Sequence, residues 1–290
     1  MLGIAIHTSE RNLHVRHIDN LEIHLTHSCN LTCESCSHYS NYGHKGMLSL
    51  EEAENWMSSW NRRIRPRMFS LLGGEPSLHP NLVDFMALAR RSWPQAHLRL
   101  VTNGFFLHRH PALPIFLQHD RDATIYWSIH HGSPDYQERI VPIRKLLKEW
   151  FLQYNVRIRV SFSHEKWTRR YQGSGAAMEP FAHGKPRQSW KHCPARFCPQ
   201  LFEGKIWKCP PLAYLKMQDA KYKLSVRWQP YLAYEPLPTD CSDDELNAFF
   251  SREEESYCGM CAARPQPLKL AIPLASIGRR MTSVPIAQSS

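Results

Sequence analysis

No apolar run in this chain approaches the roughly 20 residues that a bilayer span needs, and the opening MLGIAIHTSERN has no hydrophobic stretch of the kind that directs export. A membrane helix is therefore excluded, and a cytoplasmic protein is expected. Acidic residues are missing after Cys261, where Arg264, Lys269, Arg279 and Arg280 stand among four prolines. That stretch reads as a basic extension rather than a folded unit. Cysteine is missing between Cys36 and Cys193, which divides the nine cysteines into an early trio and a late set. Without an export signal a disulfide framework is not the expected use, so clustered cysteines read first as metal ligands or reactive thiols.

What is present is ordinary for a folded protein. The 290 residues are 42% hydrophobic and 21% charged, enough for a substantial core in about two domains or one large α/β unit with an appendage. Lys and Arg total 36 against 26 Asp and Glu, a balance of +10. A basic balance is compatible with an anionic substrate, an RNA or an acidic peptide and selects none of them. The arginine runs and the nine tryptophans form no recognisable RNA-binding module, and no internal repeat is found.

From Leu21 to about Ser163, strand-like and helical patterns alternate. Strands are expected at Leu21–Leu25, Met68–Leu72, Leu98–Val101, Thr124–Ile129 and Val156–Val160. Between them, Ser49 and Glu52 form a capping-box pair ahead of Ala53, Trp56, Met57 and Trp60 at helical spacing. A second helix is expected from about Pro80, burying Leu82, Phe85, Met86 and Ala89, and a third over 137–154. Repeated βα units imply a parallel sheet, and five or six units are too few for a closed eight-stranded barrel. A partial (β/α)6 barrel of TIM type is expected. After Ser163 the βα rhythm stops, Gln172–Gly175 reads as a linker, and Leu201–Lys208 reads as a small hairpin turning at Glu203-Gly204.

Cys29, Cys33 and Cys36 follow the first strand at spacings of three and two residues. Three thiolates on one loop can hold three irons of a [4Fe–4S] cluster and leave the fourth open. The competing reading is a zinc site completed by His27 or His38. Gly73-Gly74-Glu75-Pro76 follows the second strand and Thr102-Asn103-Gly104 the third, at the strand ends where α/β barrels place their chemistry. Paired glycines admit close backbone approach, and a carboxylate there can hold an ammonium group.

Together these motifs resemble the radical S-adenosylmethionine (SAM) superfamily. The resemblance implies that Cys29, Cys33 and Cys36 hold a [4Fe–4S] cluster whose free iron chelates SAM. It implies that Gly73, Gly74 and Glu75 contact the SAM amino group, with Asn103 and Ser128 at its ribose or carboxylate. The residue before the third cysteine is usually aromatic in that superfamily and is Ser35 here; Tyr39 is the expected substitute beside the adenine. The implied reaction is reductive cleavage of SAM to a 5′-deoxyadenosyl radical that takes hydrogen from a substrate C–H bond.

The late cysteines resemble the auxiliary-cluster region of SPASM and twitch relatives. Ten residues separate Cys193 from Gly204 and four separate Gly204 from Cys209, and Cys258 and Cys261 close the pattern as a single CxxC. The resemblance implies a small cysteine-rich twitch-like domain with one auxiliary [4Fe–4S] cluster on Cys193, Cys209, Cys258 and Cys261, Cys198 being able to replace one of them. A four-cysteine zinc site is the alternative. Cys241 fits neither set. A lone cysteine is ordinarily a small buried hydrophobe; the sharper reading, from its place beside Asp240 and ahead of Ser242-Asp243-Asp244-Glu245, is an exposed thiol at a helix start that donates a hydrogen atom in an epimerase, with Cys198 its rival. His130 and His131 follow the fourth strand and are expected to face the pocket.

The expected division is an extension at 1–18, the barrel at 19–185, the twitch-like domain at 186–262 and a basic tail at 263–290. The expected function is epimerisation or oxidation of a sugar-like natural-product intermediate, with ribosomal-peptide maturation and RNA modification as alternatives. The expected partners are a small-molecule or peptide substrate and a reductant of the flavodoxin or ferredoxin type. No membrane is expected, and nucleic acid is not favoured.

Overall fold

The structure, a computed structural model, describes residues 15–268. Of the expected extension at 1–18, residues 1–14 lie outside the described residues and Arg16 to Ile18 already belong to the first strand; of the expected tail at 263–290, the part beyond Leu268 lies outside them. Among the described residues no helix is long and apolar enough to cross a membrane.

Five parallel strands carry the first half of the chain: β1 (Arg16–His24), β2 (Ile64–Leu72), β3 (His97–Thr102), β4 (Ala123–Ile129) and β5 (Ile158–Phe162). Each is joined to the next by helical crossovers, the connection that parallel pairing requires. The first crossover is α1 (Leu50–Trp60). Its start is fixed by the capping box: the Ser49 hydroxyl accepts the Glu52 N–H (3.1 Å) and the Glu52 carboxylate accepts the Ser49 N–H (3.0 Å). Its buried face is Ala53, Met57 and Trp60, and the Trp60 indole N–H donates to the Gly204 carbonyl (2.8 Å). The second is α2 (Leu82–Ser92), which starts after Asn81 rather than at Pro80. Then come α3 (Leu113–His119), α4 (Pro134–Arg139) and α5 (Val141–Tyr154). The single helix expected over 137–154 is broken at Ile140, because Pro142 has no N–H to continue the hydrogen-bond ladder from α4.

The later chain adds α6 (Pro186–His192), the hairpin β6 (Gln200–Phe202) and β7 (Lys205–Trp207), α7 (Pro210–Tyr222), α8 (Gln229–Leu232) and α9 (Asp243–Ser251). The hairpin turns where expected, with Glu203 and Gly204 both at positive φ (53° and 72°), the two-residue turn that matches strand twist. The sheet order is β5-β4-β3-β2-β1-β6-β7. The fold is thus the expected α/β partial barrel, an open sheet with six parallel strands and antiparallel β7. The sixth parallel strand joins beside β1, pairing Glu22 with Gln200 and Ile23 with Leu201, and not beyond β5. Gln172–Gly175 is no linker: Gln172 bridges Glu179, and Gly173 turns against the Ala177 carbonyl.

Two apolar clusters result. The larger lies between sheet and crossover helices and includes Leu21, Ile23, Phe69, Leu71, Leu98, Leu100 and Ile125. The smaller packs Tyr39, Tyr171 and Met178 against Trp207, Tyr214, Trp228 and Tyr234. Phe69 is fully buried with its ring 4.5 Å from that of Trp93. Phe69→Ala is therefore expected to cost about 3–5 kcal/mol of stability, and Ser49→Ala about 1 kcal/mol through the lost cap, both read as lowered denaturation midpoints.

Candidate active site

The segment leaving β1 is pinned before it reaches the cysteines. Thr26 bridges Met47, the His27 N–H donates to the Gly46 carbonyl (3.1 Å) and the Leu48 N–H to the Leu25 carbonyl (3.0 Å). The loop bearing Cys29, Cys33 and Cys36 therefore starts and ends at one fixed base. The exit of β2 then presses onto it. The Gly74 N–H donates to the Thr26 carbonyl (2.7 Å) and the Glu75 N–H to the Ser28 carbonyl (2.8 Å). A Cβ at Gly73 would meet the Thr26 carbonyl oxygen at 2.6 Å and one at Gly74 the Ser28 oxygen at 2.2 Å, so only glycine fits.

Glu75 extends this lock to β3. Its buried carboxylate accepts the Ser77 N–H (3.0 Å), the Thr102 hydroxyl and the Asn103 N–H (2.7 Å). Burial raises its pKa against the lowering effect of those donors. Asn103 in turn donates its amide to Asn30 Oδ1 (2.8 Å) and lies 4.0 Å from Cys29 Sγ. The Gly-Gly-Glu and Thr-Asn-Gly motifs are thus brought together with the trio. Glu75 faces the cavity as a residue that orders the loops, its carboxylate engaged by the protein itself.

The trio opens on a cavity of about 590 Å³ that reaches down the barrel. The Leu31 N–H donates to Cys29 Sγ (3.4 Å), and His130 Nδ1 is 3.6 Å from Cys33 Sγ. Burial holds the His130 pKa at about 4, so its ring is neutral at physiological pH. Burial also raises the pKa of all three thiols. Buried thiols of this kind become thiolates only against a compensating positive centre. Ser128 lines the cavity from β4.

Deeper in the barrel, alternate residues of the strands supply a polar floor. Glu22 accepts from Asn20 (3.0 Å), Arg99 (2.9 Å) and Gln200 (2.7 Å). Arg99 also donates to Ser70 (2.9 Å) and lies over the Tyr126 ring, 5.3 Å from its centroid. These residues were missed in the sequence. The signal was there, as polar residues on the period-two face of apolar strands. Arg170 and Trp167, also on the cavity wall, carried no such signal. The Trp167 indole donates to the Glu34 carbonyl (2.6 Å), and the Arg170 N–H donates to the Ser35 hydroxyl (2.6 Å).

Cys193, Cys209, Cys258 and Cys261 line a second, tight cavity of about 30 Å³. Burial lifts the Cys258 pKa to about 11 and that of Cys261 to about 12. The Glu255 N–H donates to Cys258 Sγ (3.4 Å). Cys198 lines the barrel cavity and not this one, its thiol beside Glu22 and within electrostatic reach of Cys193. Both cysteine sets suit iron–sulfur ligation in their donor chemistry: buried thiols with backbone N–H groups on sulfur. Among the described residues no three metal-ligating side chains are drawn together around a point that would suit a single ion. Cluster cysteines each take their own iron.

Three expectations are corrected. Tyr39 does not face the cavity. Its ring is buried in the smaller cluster, 5.7 Å from that of Tyr171, with its hydroxyl on the Pro211 carbonyl (3.3 Å). Cys241 is not exposed but 7% accessible within the larger core, where Arg63 donates to its sulfur (3.2 Å). Arg63 precedes β2, whereas Gly73 follows it, so a nine-residue strand, roughly 30 Å long, separates Cys241 from the cavity. The acidic turn after it does cap α9, through Ser242 and Glu245, but the helix lays the preceding cysteine inward. His130 faces the cavity; His131 is not among its lining residues and accepts the Ser133 N–H instead (2.9 Å).

Residues 23–153 match the Radical SAM superfamily. A GTP 3′,8-cyclase of Rhodopirellula baltica is 31% identical over 100 residues, 33% of this chain and 28% of that protein. The chain spans under a third of the length of the curated relatives it matches. Among solved structures, BtrN in complex with AdoMet and 2-DOIA superposes with a TM-score of 0.44 at 14% identity, covering 84% of this chain and 92% of that one. Native anSMEcpe with bound AdoMet and the Cp18Cys peptide gives 0.39 at 19% identity, over 50% of this chain and 42% of that one.

The close approach at Gly74 yields a direct test. Gly74→Ala is expected to cost about 3 kcal/mol or more by forcing the cysteine loop off the strand end. Gly132→Ala, whose Cβ would meet only the movable His164 ring at 3.2 Å, is expected to cost far less. Thermal midpoints of the two variants make the comparison.

Proposed function

Starting from the radical SAM domain that residues 23–153 form, we propose that this chain is a SAM-cleaving enzyme that takes hydrogen from a C–H bond of a small polar, sugar-like substrate, epimerising or oxidising it. Cys29, Cys33 and Cys36 would hold the [4Fe–4S] cluster, with SAM against Gly73, Gly74, Asn103 and Ser128. The observation that carries the reading is one cavity holding all three cysteines above the polar floor of Glu22, Arg99 and Tyr126. When bound, the cluster supplies the electron that opens the sulfonium.

The protein's part is positioning and exclusion. The Gly73-Gly74 backbone lets a ligand approach without side chains in between, and Glu75 holds the Asn103 loop at the distance its own hydrogen bonds set. Arg99 is fixed by Glu22 and Ser70, so its remaining N–H groups are aimed before a substrate hydroxyl or carboxylate arrives. Neutral His130 beside Cys33 adds no positive charge that would compete with iron for the thiolate. Cys193, Cys209, Cys258 and Cys261 would hold the auxiliary cluster of a twitch-like unit at 186–262. Cys198 is left free on the cavity wall, where a thiol can reach a substrate; for epimerisation the donor role passes to it from Cys241.

Anaerobically reconstituted protein is expected to hold about eight irons per chain, to fall to about four in Cys209→Ala and to stay near eight in Cys198→Ala. With dithionite and SAM it is expected to release 5′-deoxyadenosine. Zinc without iron or labile sulfide, or no 5′-deoxyadenosine under any condition, would refute the reading. In deuterated water, deuterium on the reacting carbon that is lost in Cys198→Ala and kept in Cys241→Ala identifies epimerisation. A product lighter by two hydrogens identifies oxidation.

A further inference from the structure

At the opposite end of the sheet lies a groove of about 860 Å³, larger than the barrel cavity and unused by the reading above. The starts of β1 and β2 form its floor, and the loop before β6 and the end of α9 form its walls. Its charge is one-sided. Arg16 donates to Asn247 Oδ1 (3.4 Å) and Ser251 Oγ (3.2 Å), Arg65 to the Ile64 carbonyl (3.1 Å), Arg196 to the Lys191 carbonyl (2.7 Å) and Lys208 to the Phe249 carbonyl (3.3 Å). Neutral oxygens hold all four of these cations in place. The groove's two acids are already paired, Asp19 with Arg67 and Glu253 with Arg187. Phe197, 55% exposed, adds an apolar anchor under the Arg196 guanidinium, which lies 4.8 Å from its centroid.

The second observation is where the groove leads. Trp190, Arg196 and Lys208 line both the groove and the four-cysteine cavity, while Arg170 and Ala195 line both that cavity and the barrel cavity. One layer of side chains separates the groove from the thiols, and one more separates the thiols from the substrate space. We propose that this groove is the docking surface for an acidic one-electron carrier protein of the ferredoxin or flavodoxin class, seated with its redox group toward the four-cysteine centre. The proposal rests on those cysteines holding a cluster. One electron leaves the reduced carrier and one arrives at the centre, with no bond made or broken. Pre-held cations around an exposed aromatic suit a transient protein contact, in which charge steers and a small apolar area anchors.

The test is binding of the full chain to an immobilised plant-type ferredoxin, read as Kd and independent of cluster loading. Kd is expected to rise roughly tenfold between 50 and 300 mM salt. The double variant Arg16→Glu/Arg65→Glu, at groove residues that line neither cysteine cavity, is expected to weaken binding about tenfold or more, whereas Arg144→Glu, on the outer face of α5, leaves it unchanged. Phe197→Ser, a change at an exposed side chain that folding tolerates, gives an independent reading and is expected to weaken binding several-fold. The double variant should keep 5′-deoxyadenosine formation with dithionite and lose it with ferredoxin as reductant. No product with dithionite in the unmodified enzyme would overturn the cofactor reading and not the docking. Unchanged ferredoxin binding in both groove variants would overturn the docking proposal, as would a tRNA that binds the groove more tightly than ferredoxin.

Discussion

The site depends on two backbone strands touching where side chains would ordinarily hold them apart. Gly73 and Gly74 bring the exit of β2 against the carbonyls of Thr26 and Ser28, and the N–H groups of Gly74 and Glu75 close that contact. Because the cysteine loop begins one residue later, its origin is set by main chain and not by side chains that can change rotamer. The buried Glu75 carboxylate then fastens the third strand exit to the first two. A buried acceptor of this kind is costly to leave unsatisfied, so the three loops hold or fail together.

The barrel interior shows the complementary choice. Its outward strand faces are apolar and packed by helices, while its lumen carries a hydrogen-bonded carboxylate and guanidinium, Glu22 and Arg99, with Asn20, Ser70 and Gln200 completing their contacts. Such a pair contributes little net stability because desolvation offsets attraction. Its presence is better explained by what it offers a ligand. Gln200 comes from the hairpin, and its side-chain Oε1 also accepts the Tyr214 hydroxyl (3.0 Å), so the floor of the cavity and the smaller aromatic cluster share a hydrogen-bond chain.

Much of this was legible in the sequence, and the failures have physical reasons. Strands β1 to β5 were visible because short apolar or alternating runs stand between helical patterns, α1 because its capping box is local, and the hairpin because Glu-Gly suits a positive-φ turn. The place of β6 was not visible, since pairing order is decided by long-range packing: Leu201 and Ile206 complete the larger core on the β1 side. Helix α2 starts at Leu82 and not at Pro80, with Asn81 as an N-cap that makes no side-chain cap, and Pro142 broke a helix whose apolar spacing ran unbroken across it. Tyr39 and Cys241 misled in the same way. Each was judged by its sequence neighbours, and each is claimed by a distant partner, Tyr39 by Tyr171 and Pro211, Cys241 by Arg63. The placing of Cys198 on the barrel cavity was likewise invisible to spacing, which treats Cys193 and Cys198 alike.

The placing of β6 beside β1 has one more effect. Among the described residues β5 pairs with β4 alone, and its Val160 and Phe162, 45% and 48% exposed, border the reaction space. The chamber is consequently a cleft with a side door and not a tunnel with one mouth. The length of a bound molecule is not capped by the barrel's diameter, and a long one can lie across the cleft with both of its ends in water.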